Sequence, residues 1–400
     1  MSNFDSYLEE HLQDLKDHNL DRSLRRIDSA QGTRIRIDGR ELLNFSSNDY
    51  LGLANDPRIN AAAIDATGKY GTGSGASRLI SGSLAPHGDL EEALAQFKRA
   101  EAAIVFSSGY ATVIGTICAL LGSEDIIVLD KLVHASIVDA ARLSGAKMRV
   151  FTHNDLNELE NILKWAQAKP RSDGHPKILI VTESVFSMDG DLAPLREIVE
   201  MKEKYQAWLM VDEAHATGLY GSNGAGAAVE AGLQDHIEVH LGTLGKALGA
   251  SGGYVCGSRK LVDFLINRAR SFIFSTAPMP AAAAAARAAI DVARSSEGNK
   301  LREILWQRGA ELRSSMSALN LKLMPGRSAI LPVIVGEEAA AMDRAKALFA
   351  RDIFVPAIRY PSVPRGQARL RFTVSAGHTQ NDVQVLADAL AETQALSSRA

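Results

Sequence analysis

The sequence predicts an α/β fold: a large domain on a mostly parallel seven-stranded sheet, followed by a smaller C-terminal α+β domain. Three observations predict it. Between residues 104 and 256, short β-rich apolar runs alternate with helically spaced stretches, as βαβ units require. The runs are 104–106, 126–129, 148–151, 178–182, 208–211, 237–241 and 253–256. Polar residues with chemical potential follow their ends, where parallel sheets gather ligands: Gly109 and Tyr110, His134, Ser187, Asp212 with His215, and Thr243 with Lys246. After Pro278-Met279-Pro280 the composition turns to alanine-rich helix reaching toward Leu319. These shifts divide the chain into an N-terminal arm (1–45), a large domain (46–285) and a small domain (286–400).

Taken in order, the arm carries Leu8, Leu12 and Leu15 at helical spacing and ends in the cluster Arg22, Arg25 and Arg26, a candidate for holding an acidic group. Ile35-Arg36-Ile37-Asp38-Gly39-Arg40 alternates around an Asp-Gly turn signal and predicts a hairpin. Strands 330–335 and 369–374 form the small domain's sheet. Between them lies the proline-stiffened loop 358–366, which carries Arg359 and Arg365.

Bulk properties bound the function. With 400 residues, 46% apolar and 23% charged, the chain can bury large cores. A formal charge of −3 gives no basic excess for nucleic acid or anionic membranes. Only Cys118 and Cys256 occur, far apart, so no disulfide framework is expected. The start, Met1-Ser2-Asn3-Phe4-Asp5, is polar and acidic where a secretory signal is basic then apolar, and a cytoplasmic enzyme is expected. No His-Glu-x-x-His pattern marks a metal site.

Lys246 sits in Thr243-Leu244-Gly245-Lys246-Ala247-Leu248-Gly249. Apolar surroundings disfavour an ammonium and suit a nucleophilic amine. Asp212 ends a strand upstream, with His215 beyond it. A lysine for an aldehyde and an aspartate for a pyridinium nitrogen are the minimal set for pyridoxal 5′-phosphate. Rival motifs fail locally. A phosphate-binding loop needs glycine and a hydroxyl where the chain has His240 and Ala247. Gly249-Ala250-Ser251-Gly252-Gly253 places its serine before a strand, where a nucleophile elbow needs one after it. Ser107-Ser108-Gly109-Tyr110 follows a strand and opens a helix, so its N–H groups can receive a phosphate.

The chain resembles the α-oxoamine synthases, a group of fold-type I pyridoxal-phosphate-dependent transferases. The likeness rests on Asn48-Asp49-Tyr50-Leu51-Gly52-Leu53, Gly73-Ser74-Gly75-Ala76-Ser77-Arg78, Val185-Phe186-Ser187-Met188-Asp189-Gly190-Asp191, Val211-Asp212-Glu213-Ala214-His215-Ala216-Thr217-Gly218, Thr243-Leu244-Gly245-Lys246 and Arg369-Leu370-Arg371. The resemblance implies that Lys246 holds the cofactor and later moves a Cα proton, while Asp212 keeps the ring nitrogen protonated. It implies that His215 and Ser187 bond the phenolic oxygen region and that His134 stacks on the ring. Gly109, Tyr110 and Thr243 would hold the phosphate, with Ser275 and Thr276 supplied by the partner of a homodimer. Arg371, assisted by Asn48, would pair with an amino-acid carboxylate. Ser362, and Arg25 or else Arg26, would contact the acyl substrate.

Phe274-Ser275-Thr276-Ala277-Pro278-Met279-Pro280, His153-Asn154-Asp155 and Ala357-Ile358-Arg359-Tyr360-Pro361-Ser362-Val363-Pro364 point to the branch that condenses L-alanine with a pimeloyl thioester. Coenzyme A and acyl carrier protein stay open as the thiol carrier, and glycine acetylation is the alternative reaction.

Overall fold

Strands without polar alternation need cover on both faces, and every residue of Ile126-Ile127-Val128-Leu129-Asp130 is buried. The computed structural model describes residues 3–169 and 176–397; Met1 and Ser2 of the polar N-terminus lie outside the described residues. Its strands, in chain order, are β1 Arg34–Ile37, β2 Arg40–Asn44, β3 Ala102–Phe106, β4 Ile126–Asp130, β5 Lys147–Phe151, β6 Ile178–Glu183, β7 Trp208–Asp212, β8 Val239–Thr243, β9 Gly253–Gly257, β10 Ile330–Gly336, β11 Ile353–Phe354, β12 Ala357–Ile358 and β13 Ala368–Thr373. The chain falls into two units, one of Met1–Tyr50, Met188–Asp191 and Ile304–Ala400, the other of Leu51–Ser187 and Leu192–Glu303.

The second unit holds a seven-stranded sheet in the order β3-β9-β8-β7-β6-β4-β5. Strands β4 to β8 pair in parallel, and β9 runs antiparallel between β8 and β3. The fold is therefore the expected α/β architecture with a mostly parallel sheet. On one face Val113, Ile117, Ile137, Ala140, Ala141, Val262 and Leu265 meet Ile104, Ile127, Leu129, Leu179, Val181 and Met210 in one core. Strand β8 lies two residues later than the apolar run 237–241, because its ladder to β9 continues through Gly242↔Tyr254 and Thr243↔Gly253. Cross-strand pairing, invisible to local propensity, sets that end.

The alanine-rich segment is two helices, Pro280–Ala293 and Ser296–Ala318. Ser295 separates them by accepting the N–H groups of Glu297 and Gly298 on its hydroxyl, as a capping residue does. Among the described residues, no helix is long and apolar enough to cross a membrane.

In the first unit, β1 and β2 make the expected hairpin, with Ile37 opposite Arg40. Both turn residues, Asp38 (φ 50°) and Gly39 (φ 75°), are left-handed, as a two-residue primed turn demands. Strand β11 adds to β2 in parallel, and a separate antiparallel sheet has the order β10-β13-β12. The residues set apart as an arm thus cluster with C-terminal residues. The helix Asn3–Asp17 buries none of its residues, and beyond it the chain is clasped by arginines. Arg359 donates to the carbonyls of Asn19 and Asp21, and Arg22 donates to that of Tyr360.

Candidate active site

Parallel strands deliver their carboxyl ends to one edge, and there one cavity gathers residues from five segments of the sequence. Gly109, Tyr110, His134, Ser187, Asp212, His215, Thr243 and Lys246 all line it, with Val113, Leu241 and Gly242 as apolar or small walls. Lys246 Nζ is 2.8 Å from His215 Nε2. Asp212, 7% exposed, accepts the Ala214 N–H on Oδ1 at 2.8 Å. Burial raises its carboxyl above the ordinary value, against the pull of the Lys246 ammonium. A protonated ring nitrogen beside it would supply the missing countercharge.

The helix Gly109–Leu120 opens on the cavity. Its cap Ser108 accepts the Ala111 N–H, leaving the first-turn donors of Gly109 and Tyr110 without a helical carbonyl to serve them. Thr243, whose Oγ1 donates to the Gly252 carbonyl at 3.0 Å, stands against Gly109. The exposed His134 caps the helix Ala135–Ser144, and its Nδ1 is 2.8 Å from Ser136 Oγ, which fixes the ring. Amine, buried carboxylate, flat ring and helix N-terminus are the donor set that a phosphorylated pyridine aldehyde requires.

Two backbone approaches hold these parts together. A Cβ on Gly253 would lie 2.4 Å from Thr112 Oγ1 and 2.7 Å from Gly109 Cα, so only glycine lets β9 support the helix start. Gly249, at φ 60°, turns the chain after Lys246 where a Cβ would meet Ala54 N at 2.4 Å. Gly253→Ala should cost about 1–3 kcal/mol by overpacking and weaken pyridoxal-phosphate binding. Urea unfolding and cofactor titration measure both effects.

Behind Asp212, Glu213 is fully buried and meets Lys98 Nζ at 2.6 Å, with the Ala228 N–H on its other oxygen. Burial pushes that carboxyl up, but Lys98 and His240 outweigh it and hold it at about 2. This anchor fixes the backbone from which Asp212 and His215 project. Lys98→Met removes the ammonium from the buried Glu213 carboxylate, leaving only His240 and the Ala228 N–H beside it, and should cost about 3–5 kcal/mol, read from the urea midpoint.

The other expected residues lie elsewhere. Ser275 and Thr276 do not line the cavity; they follow the short helix Arg270–Ile273, with Thr276 bridged to Ser77. In the other unit, Arg371 is 8% exposed and its Nη1 and Nη2 donate to Asn48 Oδ1 at 3.2 and 3.3 Å. Tyr50, which the sequence reading did not single out as a site residue, accepts from Arg371 Nη2 at 3.4 Å. The Arg25 guanidinium lies over the rings of Phe349 (4.8 Å) and Phe354 (5.8 Å), whereas Arg26 Nε donates to Asp28 at 2.6 Å. Ser362 is exposed, its N–H bonded to the Arg359 carbonyl.

Ser136 and Glu183 also line the cavity without having been singled out. For Ser136 the sequence holds no signal. Glu183 had one, since it closes the apolar run 178–182 as Asp212 closes 208–211, and the two are register partners.

The aminotransferase class I and II family matches residues 40–390 of the chain. The chain is 47% identical over 380 residues to an 8-amino-7-oxononanoate synthase of Geobacter sulfurreducens, spanning 95% of this chain and 96% of that one. It is similar to a serine palmitoyltransferase from S. paucimobilis solved with a bound pyridoxal-phosphate–myriocin adduct (TM-score 0.91, 30% identity, 100% and 99% of the two chains). It is also similar to an 8-amino-7-oxononanoate synthase from Francisella tularensis (TM-score 0.75, 28% identity, 89% and 99%).

Proposed function

The chain belongs to the 8-amino-7-oxononanoate synthases within the class I and II aminotransferase family, and from that premise we propose that it condenses L-alanine with a pimeloyl thioester, releasing carbon dioxide and the free thiol. It is a pyridoxal-phosphate-dependent transferase of biotin biosynthesis. The observation that carries the reading is one cavity holding Lys246, 2.8 Å from His215, together with Asp212.

When bound, the cofactor draws electrons from the amino acid's Cα and so makes its proton removable. Lys246 would hold the cofactor through its aldehyde, and its amine, 2.8 Å from His215, would take the Cα proton of alanine. His215 orients that amine and Asp212 keeps the ring nitrogen protonated. Ser187 bonds the phenolic oxygen side and His134 stacks on the ring. The N–H groups of Gly109 and Tyr110 hold the phosphate, and the Thr243 hydroxyl joins them by turning its proton from the Gly252 carbonyl. A Cα–C bond forms as the thioester C–S bond breaks and the thiol leaves. The bond from Cα to its carboxylate then breaks, carbon dioxide departs, and a proton replaces it.

Arg371 takes the alanine carboxylate, with Asn48 holding the guanidinium, so that orientation selects the bond that breaks. Arg371→Lys should raise the KM for alanine roughly 10- to 100-fold by losing paired charged hydrogen bonds, with the KM for the thioester little changed. Steady-state kinetics with each substrate varied in turn read the split. Arg25 rather than Arg26 meets the acyl chain's carboxylate, since Asp28 already neutralises Arg26; Ser362 contacts the same substrate.

The protein acts as a cytoplasmic homodimer, with Ser275 and Thr276 reaching the partner's phosphate site. Exposed Leu79, Ile80, Phe274 and Met279, flanking the Ser77–Thr276 bridge, support this with the apolar surface a permanent interface buries. Carboxyl-labelled alanine tests the reaction. Labelled carbon dioxide equal to the thiol released is expected, whereas pyruvate formed from alanine with a keto acid and no thioester would establish transamination instead.

A further inference from the structure

The cavity holds a second carboxyl group that the reaction above does not use. Glu183 ends β6 directly beside Asp212 of β7, so in a parallel pair both side chains leave the same face of the sheet. It is 3% exposed and lines the cavity. Its Oε2 accepts the Ser187 N–H at 3.2 Å, while Oε1 is buried without a hydrogen-bond partner. A buried polar atom left unpaired costs about 1–3 kcal/mol, an expense that persists where a bound group completes the site.

Resting on the cofactor reading, we propose that Glu183 is a positioning residue of the pyridoxal-phosphate pocket, held as an uncharged acid so that Asp212 is the lone carboxylate available to the ring nitrogen. The groups around it are Asp212, Lys246, His134 and His215. Two adjacent buried carboxylates cannot both ionise cheaply, and the pair divides the labour: one charged, one neutral. Burial first, and the Asp212 charge second, push the Glu183 carboxyl up to about 8, against the pull of Lys246 and of the His134 and Ser187 N–H groups. Asp212, proposed as the partner of the ring nitrogen, would keep its charge once that nitrogen is protonated.

Glu183 is thereby a titrating neighbour of the bound cofactor. Its ionisation with rising pH adds a negative charge that stabilises protonated, cationic forms of the cofactor. The visible absorbance band should then titrate over a range broader than one proton allows. Glu183→Gln keeps the shape and the neutral hydrogen-bonding group, so it should bind pyridoxal phosphate within about threefold of wild type. Its band should follow a single-proton curve with a lower midpoint. Glu183→Asp, which still titrates, should keep the broadening, and Glu183→Met should raise the cofactor dissociation constant roughly tenfold.

The experiment is a pH titration of the visible spectrum, with equilibrium cofactor binding, on wild type and the three variants. Superimposable curves for wild type and Glu183→Gln would overturn this role alone. Absence of a cofactor band in wild type would overturn the pocket reading and this role with it.

Discussion

Replacing Lys246 by Ala is expected to remove turnover by about 10,000-fold or more, the upper range of a positioned acid–base group, because one amine is proposed both to anchor the cofactor and to move the proton. No neighbour can substitute for it. His215 Nε2 is 2.8 Å from Nζ, but an imidazole forms no stable linkage to an aldehyde, and its ring belongs to the segment fixed by Glu213. Cofactor should still enter, since Gly109 and Tyr110 at the helix start and His134, proposed to stack on the ring, are untouched. It should then leave on dialysis, and borohydride should fix none of it to the chain. A variant that keeps a borohydride-fixed cofactor and wild-type turnover would remove Lys246 from the chemistry.

Asp212→Asn is the second large effect. The carboxylate sits at the end of a strand whose five residues from Trp208 pack in the sheet, and it is 7% exposed. Few waters can screen it there, so its charge acts strongly on whatever cation lies beside it. The amide keeps the size but cannot keep a pyridine nitrogen protonated. The ring then withdraws fewer electrons from Cα, and turnover should fall about 100- to 10,000-fold. Alanine affinity should change far less, because the proposed partner of its carboxylate is Arg371, which the substitution leaves in place. The bound cofactor's absorbance should shift as the nitrogen loses its proton, which separates this effect from simple loss of binding.

Much of this site was legible in sequence because it obeys one geometric rule. Gly109, His134, Asp212 and Lys246 are hundreds of ångströms of extended chain apart at the extremes, yet each follows an apolar run that becomes a strand of the one seven-stranded sheet. Once the runs are read as neighbours, their carboxyl ends converge. The failures have physical causes of the opposite kind. The C-terminal end of β8 is set by pairing with Tyr254 and Gly253 on β9. The split of the alanine-rich helix hangs on one hydroxyl at Ser295. Strands β11 and β12 are two residues long and exist through β2 and β13, which no local pattern encodes. Glu183 carried the same signal as Asp212, a carboxyl closing a buried run, but had no lysine at a telling spacing to make it look chemical. Lys98, likewise, reads as an ordinary charge at the end of the helix Ala85–Lys98 until Glu213 is found against it.

The Lys246 cavity is proposed to join alanine to a pimeloyl thioester. Thiol release by the purified protein loaded with pyridoxal phosphate tests it most directly, with L-alanine or glycine crossed against pimeloyl-CoA or acetyl-CoA. Release is expected with alanine and pimeloyl-CoA and is lost in Lys246→Ala. Release with glycine and acetyl-CoA alone, or with no dependence on the amino acid, would contradict it.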